Sequence, residues 1–251
     1  MKFSNRYVYI YSIVLVVISA IVLSLAAVLL RTPQQQNIKI EKIQNLLSCV
    51  GIASTKTNAE ELYNKYFIKE VAIDLKGQEK ASFEAGKQSL GTQRPFEINV
   101  KKAFDAFKAG DAKALLPVYI CKKKDGQLIY VVPLMGQGLW GAIWGNIALD
   151  ASLNNVVGVN FDHKSETPGL GAEIANPPFQ KEFLGKQIFD PKSKEFTSIE
   201  VSKKAVKGNS HQVDAISGGT MTSNGVTRML KDCLTYYLPY FKAQQQKNIV
   251  E

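Results

Sequence analysis

Cysteine and histidine are scarce in this sequence, which has three of the first and two of the second. Cys49, Cys121 and Cys233 lie far apart, with no Cys-x-x-Cys pair and no histidine at ligand spacing. This pattern argues against a zinc site and against a disulfide framework. The His-Glu-x-x-His, Gly-x-Ser-x-Gly and phosphate-loop signatures are also missing, so nothing indicates a metalloprotease, a serine hydrolase or a phosphate-loop NTPase.

Acidic residues are fewer than basic ones, 22 against 31, which gives a formal net charge of +9. The excess does not form a basic stripe with interleaved aromatic residues, and this argues against nucleic-acid binding. An anionic membrane surface, an acidic partner or simply a solvated surface would each suit the charge.

Long hydrophobic runs are limited to one, at residues 7–30, which carries no charge and is flanked by Arg6 and Arg31. As a helix it would rise roughly 36 Å, enough to cross a bilayer core of about 30 Å. A cleaved signal peptide is the alternative, but its apolar region is usually about 7–15 residues long and ends at a small-residue cleavage site. No convincing site follows this run, so we predict a retained transmembrane helix. Basic residues on both sides leave its orientation open.

The remaining sequence predicts an α+β domain, mixed and largely antiparallel. We expect a polar spacer at 32–37, a helix to about residue 51, a short helix through Phe67, a loop at 77–93 and a helix at 99–108. Strands are predicted at 118–121 and 128–134, joined as a hairpin, and at 155–161 and 197–201. Connections rich in Gly and Pro, at 136–145 and 167–178, would let a ligand approach the backbone.

The clearest predicted helix is the last, because apolar residues recur on one face from Val226 to Leu238. Thr222, Ser223 and Asn224 are candidate N-caps, and Pro239 should end or kink this helix. We therefore divide the chain into an N-terminal segment (1–6), a transmembrane helix (7–30), a helical lead-in with loops (31–110) and a ligand-binding domain (111–251).

The segment before this helix carries the chemistry. It runs Asp-Ala-Ile-Ser-Gly-Gly-Thr-Met-Thr-Ser-Asn-Gly from Asp214 to Gly225. Two glycines and several hydroxyls at a helix N-terminus form a natural anion site, since free backbone N–H groups and the helix dipole both favour negative charge. A phosphate group suits such a site, although an ordinary capped loop has the same composition. Asp214 is expected to orient the loop.

Asp214, Ser217, Gly218, Gly219 and Thr220 match the Asp-x-x-(Ser/Thr)-Gly-(Ala/Gly)-Thr pattern, and the segment resembles the covalent flavin mononucleotide (FMN) domains of respiratory sodium pumps. In that family, a metal-dependent flavin transferase moves FMN from FAD onto the final threonine as a phosphoester. The resemblance therefore implies covalent FMN on Thr220. Gly219 replaces the commoner alanine, a small departure.

Two further stretches are similar to the same family. Glu166-Thr167-Pro168-Gly169-Leu170-Gly171 resembles a segment that lies against the isoalloxazine ring, which implies that Leu170 covers a ring face and that Thr167 meets its polar edge. Leu139 and Trp140 are candidates to wall the flavin, although a tryptophan is as often a core residue. The implied cofactor-binding set is Thr220 with Asp214, Ser217, Gly218, Gly219, Thr222, Ser223, Glu166, Thr167, Gly169, Leu170, Gly171, Leu139 and Trp140.

Over nearly its whole length the chain resembles the NqrC family, the FMN-carrying subunits of Na⁺-translocating NADH:quinone oxidoreductases (Nqr complexes). The alternative is the RnfG family of the related Rnf complex. The resemblance implies an electron-transfer subunit of a bacterial inner-membrane complex, with a cytoplasmic N-terminus and an extracytoplasmic, periplasmic FMN domain. Other subunits would be its partners and would handle NADH, quinone and Na⁺. A hypothesis of a different class is a membrane-anchored sensor that binds a small anion noncovalently; only a covalent flavin would survive denaturation.

Overall fold

The first helix contains the apolar run. The structure, a computed structural model, describes residues 4–250 and side chains through residue 247. The chain divides into two compact units, Met1–Lys42 and Ile43–Glu251. Helix α1 spans Asn5–Cys49 and is, within the described range, the one helix long and apolar enough to cross a membrane. The predicted spacer at 32–37 is wrong, since α1 continues through Pro33; glutamine is a good helix former, so a polar stretch of this kind does not end a helix.

A seven-stranded antiparallel sheet forms the core of the second unit, in the order β3-β2-β1-β4-β5-β6-β7. Its strands are β1 (Phe67–Ile73), β2 (Glu79–Glu84), β3 (Lys87–Leu90), β4 (Leu116–Lys122), β5 (Leu128–Gln137), β6 (Ala142–Asp150) and β7 (Val156–His163). A separate parallel pair joins β8 (Glu200–Ser202) to β9 (Gln212–Asp214). Strands from both sides of residue 110 thus share one sheet.

The predicted hairpin at 118–134 is confirmed as β4 and β5, and the strand predicted at 155–161 is confirmed as β7. The loop predicted at 77–93 is wrong, because it contains the hairpin β2–β3 at the sheet edge. The connection predicted at 136–145 is largely wrong too, since β5 reaches Gln137 and β6 begins at Ala142. The strand predicted at 197–201 is only partly found, as β8.

Short helices flank the sheet: α2 (Ala59–Tyr66), α3 (Val100–Lys108), α4 (Pro177–Lys181) and two 3₁₀ turns, Pro95–Glu97 and Gly171–Ala175. The helices predicted to end near Phe67 and to cover 99–108 are therefore confirmed within one residue. The stretch 167–178 holds a 3₁₀ turn and the start of α4 rather than loop alone.

The last helix, α5 (Thr220–Val250), packs on the sheet. Its buried face includes the residues of the predicted stripe, Val226, Met229, Leu230, Cys233, Leu234 and Tyr237. The Tyr237 hydroxyl lies 3.3 Å from the carbonyl oxygens of Pro117 and Pro133. One prediction was wrong, since Thr222, Ser223 and Asn224 lie inside the helix rather than at its cap. The helix also does not end at Pro239 but continues through it. Buried Tyr240 and Phe241 pack into the core beyond the proline and stabilise the helix there.

Candidate functional site

Three segments meet around the carboxylate of Glu166, which is 5% exposed. Its Oε1 accepts hydrogen bonds from the backbone N–H of Trp140 at 2.8 Å and of Gly141 at 3.3 Å. Its Oε2 accepts from the hydroxyl of Thr222 at 2.5 Å. The carboxylate therefore joins the loop after β7 to the β5–β6 turn and to the first turn of α5.

The protonation of Glu166 follows from these contacts. Burial opposes ionisation, but the hydrogen bonds donated by Thr222 and by the backbone at Trp140, Leu139 and Gly141 outweigh it, so the pKa of Glu166 lies below its ordinary value. The group is thus a buried carboxylate that remains charged at neutral pH.

Glycines allow the three segments to approach each other. A Cβ placed on Gly171 would lie 2.5 Å from Oε2 of Glu166 and closer still to the Thr222 hydroxyl, and one on Gly138 would lie 2.6 Å from Oε1. A Cβ on Gly218 would lie 2.5 Å from Cδ2 of Leu170. The segment from Glu166 to Gly171 and the segment around Thr220 are therefore in direct contact, and their glycines are needed for that contact.

Thr220 is the first residue of α5 and is half-buried. The chain reaches it through a tight turn, in which Gly218 has φ +72° and the N–H of Gly219 donates to the carbonyl of Ile216 at 2.9 Å. The N–H groups in the first turn of a helix lack intrahelical acceptors, and the helix dipole adds partial positive charge there. The hydroxyl of Thr220 therefore sits where a phosphate group is favoured.

An apolar rim lies on the same three segments. It consists of Leu139, Trp140, Leu170 and Met221, which are 49%, 67%, 41% and 51% exposed. Large apolar side chains clustered at the surface typically mark a binding site. Trp140 is thus a rim residue and not a core residue, whereas Trp144 is half-buried on β6. Met221 was missed by sequence reasoning; its only signal is its position directly after Thr220.

Several predicted site residues point their polar groups at the protein itself. The Asp214 carboxylate accepts from the N–H of Ala205 at 3.2 Å, so it orients the loop after β8 and not the Thr220 turn. The Ser223 hydroxyl accepts from the N–H of Ile216 at 3.2 Å. The N–H of Gly169 donates to Glu173 at 3.0 Å.

Two polar side chains of the predicted site are open to solvent. Ser217 and Thr167 are exposed. His163 accepts the Glu166 N–H at Nδ1, 3.2 Å away. Within the described residues, no group of three or more His, Cys, Asp or Glu side chains is placed to hold a metal ion.

Comparisons with known proteins agree with this site. The family model described as "FMN-binding domain" matches residues 138–235, which contain all three segments. The NqrC protein of the Na⁺-translocating NADH-quinone reductase of Haemophilus ducreyi is 32% identical over 246 residues, 94% of each chain. The chain belongs to the NqrC family. The corresponding protein of Pasteurella multocida is 32% identical over 217 residues, 84% of this chain and 83% of the relative.

Solved structures of NqrC proteins share the fold. The protein from Parabacteroides distasonis is 37% identical, with a TM-score of 0.72 over 84% of this chain and 96% of that one. The protein from Shewanella oneidensis is 25% identical, with a TM-score of 0.67 over 84% and 99%. The predicted α+β class, one apolar N-terminal helix followed by an antiparallel-sheet domain, is therefore confirmed as the architecture of the NqrC family.

Proposed function

We propose that this chain is the electron-transfer protein NqrC of a Na⁺-translocating NADH:quinone reductase and that it carries FMN as a phosphoester on Thr220. The observation that carries the proposal is the position of the Thr220 hydroxyl, on the first residue of α5 and beside an exposed apolar rim. Phosphate chemistry and apolar surface are the two properties that FMN requires, and this chain offers both in one place.

The residues present fit the two ends of FMN. The free N–H groups at the start of α5 suit the phosphate, and the side chains of Leu139, Trp140 and Leu170 suit a flat aromatic ring. Bound FMN would supply the redox chemistry, while the protein holds the cofactor and tunes its environment. A covalent bond would also prevent loss of the flavin to an aqueous compartment.

Attachment requires a donor and an enzyme. We propose FAD as the donor and a metal-dependent flavin transferase as the enzyme. Oγ of Thr220 would form a bond to the phosphorus on the FMN side of FAD, and the phosphoanhydride bond would break. AMP would leave with the electron pair of that bond, and the hydroxyl proton would be released. The chain would gain the mass of one FMN less one water.

The membrane arrangement belongs to the same proposal. α1 would anchor the chain as a single-pass protein in the bacterial inner membrane, with residues 1–6 in the cytoplasm and the FMN domain on the periplasmic side. We propose residues 7–30 as the span, 31–110 as the lead-in region, which contributes β1, β2 and β3 to the sheet, and 111–251 as the FMN-binding part of that same fold. The other subunits of the complex would be its partners and would bind NADH, quinone and Na⁺, so this chain alone would not oxidise NADH.

The experiment is co-expression of the full chain with a flavin transferase, followed by denaturation, in-gel flavin fluorescence, intact mass and peptide mapping. We expect fluorescence and the added mass on the peptide that contains Thr220. Thr220→Ala should lose both while keeping the fold, and the complex that contains it should lose quinone reduction. Thr235→Ala, an exposed threonine further along α5, is the matched control and should keep the flavin.

Two results would contradict the proposal. Normal quinone reduction by the complex with Thr220→Ala would show that flavin on this residue is not needed. A wild-type chain that stays unmodified beside an active transferase would instead support the noncovalent anion-binding module.

A further inference from the structure

Glu166 is placed differently from the other residues around Thr220. Its carboxylate is buried, and its partners are neutral donors from two other segments: the N–H groups of Trp140 and Gly141, and the hydroxyl of Thr222. Both oxygens accept hydrogen bonds from the protein and the carboxylate is buried, so we assign Glu166 no direct hydrogen bond to a ligand. Its charge nevertheless lies against the backbone of Trp140, a residue of the apolar rim.

We infer that Glu166 is a positioning residue which holds the rim and the start of α5 together, and whose negative charge sets the reduction potential of the flavin. The inference rests on the proposed FMN site. Reduction adds negative charge to a flavin, and a fixed carboxylate nearby opposes that addition, more strongly in a poorly solvated environment than in water. Glu166 should therefore make the flavin harder to reduce.

Two substitutions separate the charge from the positioning. In Glu166→Gln, the amide oxygen can accept from the N–H groups of Trp140 and Gly141, while the amide nitrogen donates to Oγ1 of Thr222, because a hydroxyl both donates and accepts. This variant removes the charge and keeps the connections. Glu166→Ala removes both the charge and the connections.

Glu173→Gln is the matched control. Glu173 lies in the same loop and also accepts a backbone N–H, that of Gly169 at 3.0 Å. Its other oxygen accepts from the side-chain amide of Asn176. Both of these donors lie in its own loop, whereas the donors to Glu166 come from the β5–β6 turn and from α5. Glu173 is therefore a carboxylate of the same loop that does not connect the three segments.

The experiment is a spectroelectrochemical titration of the full chain in detergent, carrying its flavin. For Glu166→Gln we expect the equilibrium between oxidised and reduced flavin to shift toward the reduced form by at least about tenfold. This corresponds to a midpoint potential that is more positive by about 30 mV for a two-electron couple. Glu173→Gln should shift the potential by less than a third of that. A residue with a purely structural role would leave the potential of a well-folded Gln variant unchanged.

The positioning role is tested on the flavin-free chain. The backbone amide NMR signals of Trp140 and Gly141 should stay close to their wild-type positions in Glu166→Gln and move in Glu166→Ala, with a lower midpoint of thermal unfolding in the Ala variant. Unmoved amide signals in Glu166→Ala would overturn this role, whether or not flavin attaches.

The inference and the proposed function fail in different ways. A Glu166→Gln variant that carries flavin at the wild-type potential would overturn the inference about the charge and leave the proposed function intact. Equal shifts in the Glu166 and Glu173 variants would also overturn it. A wild-type chain that stays without flavin beside an active transferase would refute the proposed function and, with it, the role in the potential.

Discussion

At the scale of single residues, the lowered pKa of Glu166 has a consequence for acid stability. A carboxyl whose pKa is lower in the folded chain than in the unfolded chain, where it is about 4.3, stabilises the fold above that value. The contribution is lost as the pH falls through the lower, folded pKa. Glu166→Gln has no such group, so its stability should depend less on pH in this range.

The measurement is urea unfolding, followed by tryptophan fluorescence, at pH values from 6 to about 3. The wild-type chain should lose more of its free energy of unfolding across this range than Glu166→Gln does. Asp74 and other carboxyls titrate in both proteins, and the difference between the two curves isolates Glu166. Parallel curves would show that the pKa of Glu166 is the same in the folded and the unfolded chain.

Gly171 provides a second test at this scale. A Cβ on Gly171 would meet both the Glu166 carboxylate and the Thr222 hydroxyl, so Gly171→Ala should force that pair apart. We expect a loss of about 1–3 kcal/mol in the free energy of unfolding, typical of overpacking. Gly169→Ala is the control: its Cβ meets nothing within 4 Å, and its φ of +75° costs about 1–2 kcal/mol.

The two glycine variants differ most in the site itself. Gly171→Ala should also broaden or shift the amide signal of Trp140, whose N–H donates to Glu166, whereas Gly169→Ala should leave it in place. An unchanged Trp140 amide signal in Gly171→Ala would mean that the loop shifts as a unit and keeps the hydrogen bond between Trp140 and Glu166.

Individual site residues were predicted unevenly from the sequence. Thr220 and its glycine turn were recognisable because they form a local pattern of consecutive residues. Thr222 and Ser223 were expected to face a ligand, but α5 starts at Thr220 and its helical geometry turns both side chains inward. Met221 was missed because its exposure depends on which side of the helix the rest of the domain covers.

At the scale of elements, local pattern decided which strands were predictable. β4 and β5 each contain six consecutive buried residues and are separated by a polar turn, so their apolar runs stand out. β3 is exposed along its whole length and pairs with β2 through backbone hydrogen bonds, so its sequence carries no apolar pattern that would predict a strand. β6 contains glycine at Gly145, where a Cβ would strike the carbonyl of Asn160. The close approach of the neighbouring strand β7 requires a glycine at this position, and the sequence of β6 alone does not reveal that approach.

The turn between β1 and β2 packs on α5 at an unexpected place. Gly77 has φ +74°, and a Cβ there would lie 2.6 Å from the carbonyl carbon of Pro239, against the helix backbone. Gly77→Ala should therefore push the turn away from α5 and cost more than the strain of φ alone, about 2–4 kcal/mol in the free energy of unfolding. Gly86→Ala has a similar φ of +78° and open space, so it should cost only the strain.

Equilibrium urea unfolding of both glycine variants would measure this difference. Equal losses in Gly77→Ala and Gly86→Ala would show that the turn and the helix move apart without penalty.

At the scale of the whole molecule, the second unit unites distant parts of the chain. The end of α1, the strand β4 and the helix α5 each contribute one cysteine, and all three thiols are buried. Burial raises the pKa of Cys121 to about 11 and that of Cys233 to about 12, and it raises the pKa of Cys49 as well. Since the thiolate is the reactive form, all three should be inert in the folded chain.

The three thiols therefore report on whether Ile43–Glu251 unfolds as one body. In the full chain in detergent, we expect no labelling by a thiol reagent at pH 8 without denaturant, and labelling of all three at a single urea midpoint. Mass spectrometry of the labelled peptides assigns each site, and tryptophan fluorescence gives the global transition for comparison. Labelling of Cys49 well before Cys121 and Cys233 would show that the end of α1 detaches on its own. In that case the proposed flavin site, formed by the β5–β6 turn, the loop after β7 and the start of α5, would belong to a part of the chain that unfolds later than the end of α1.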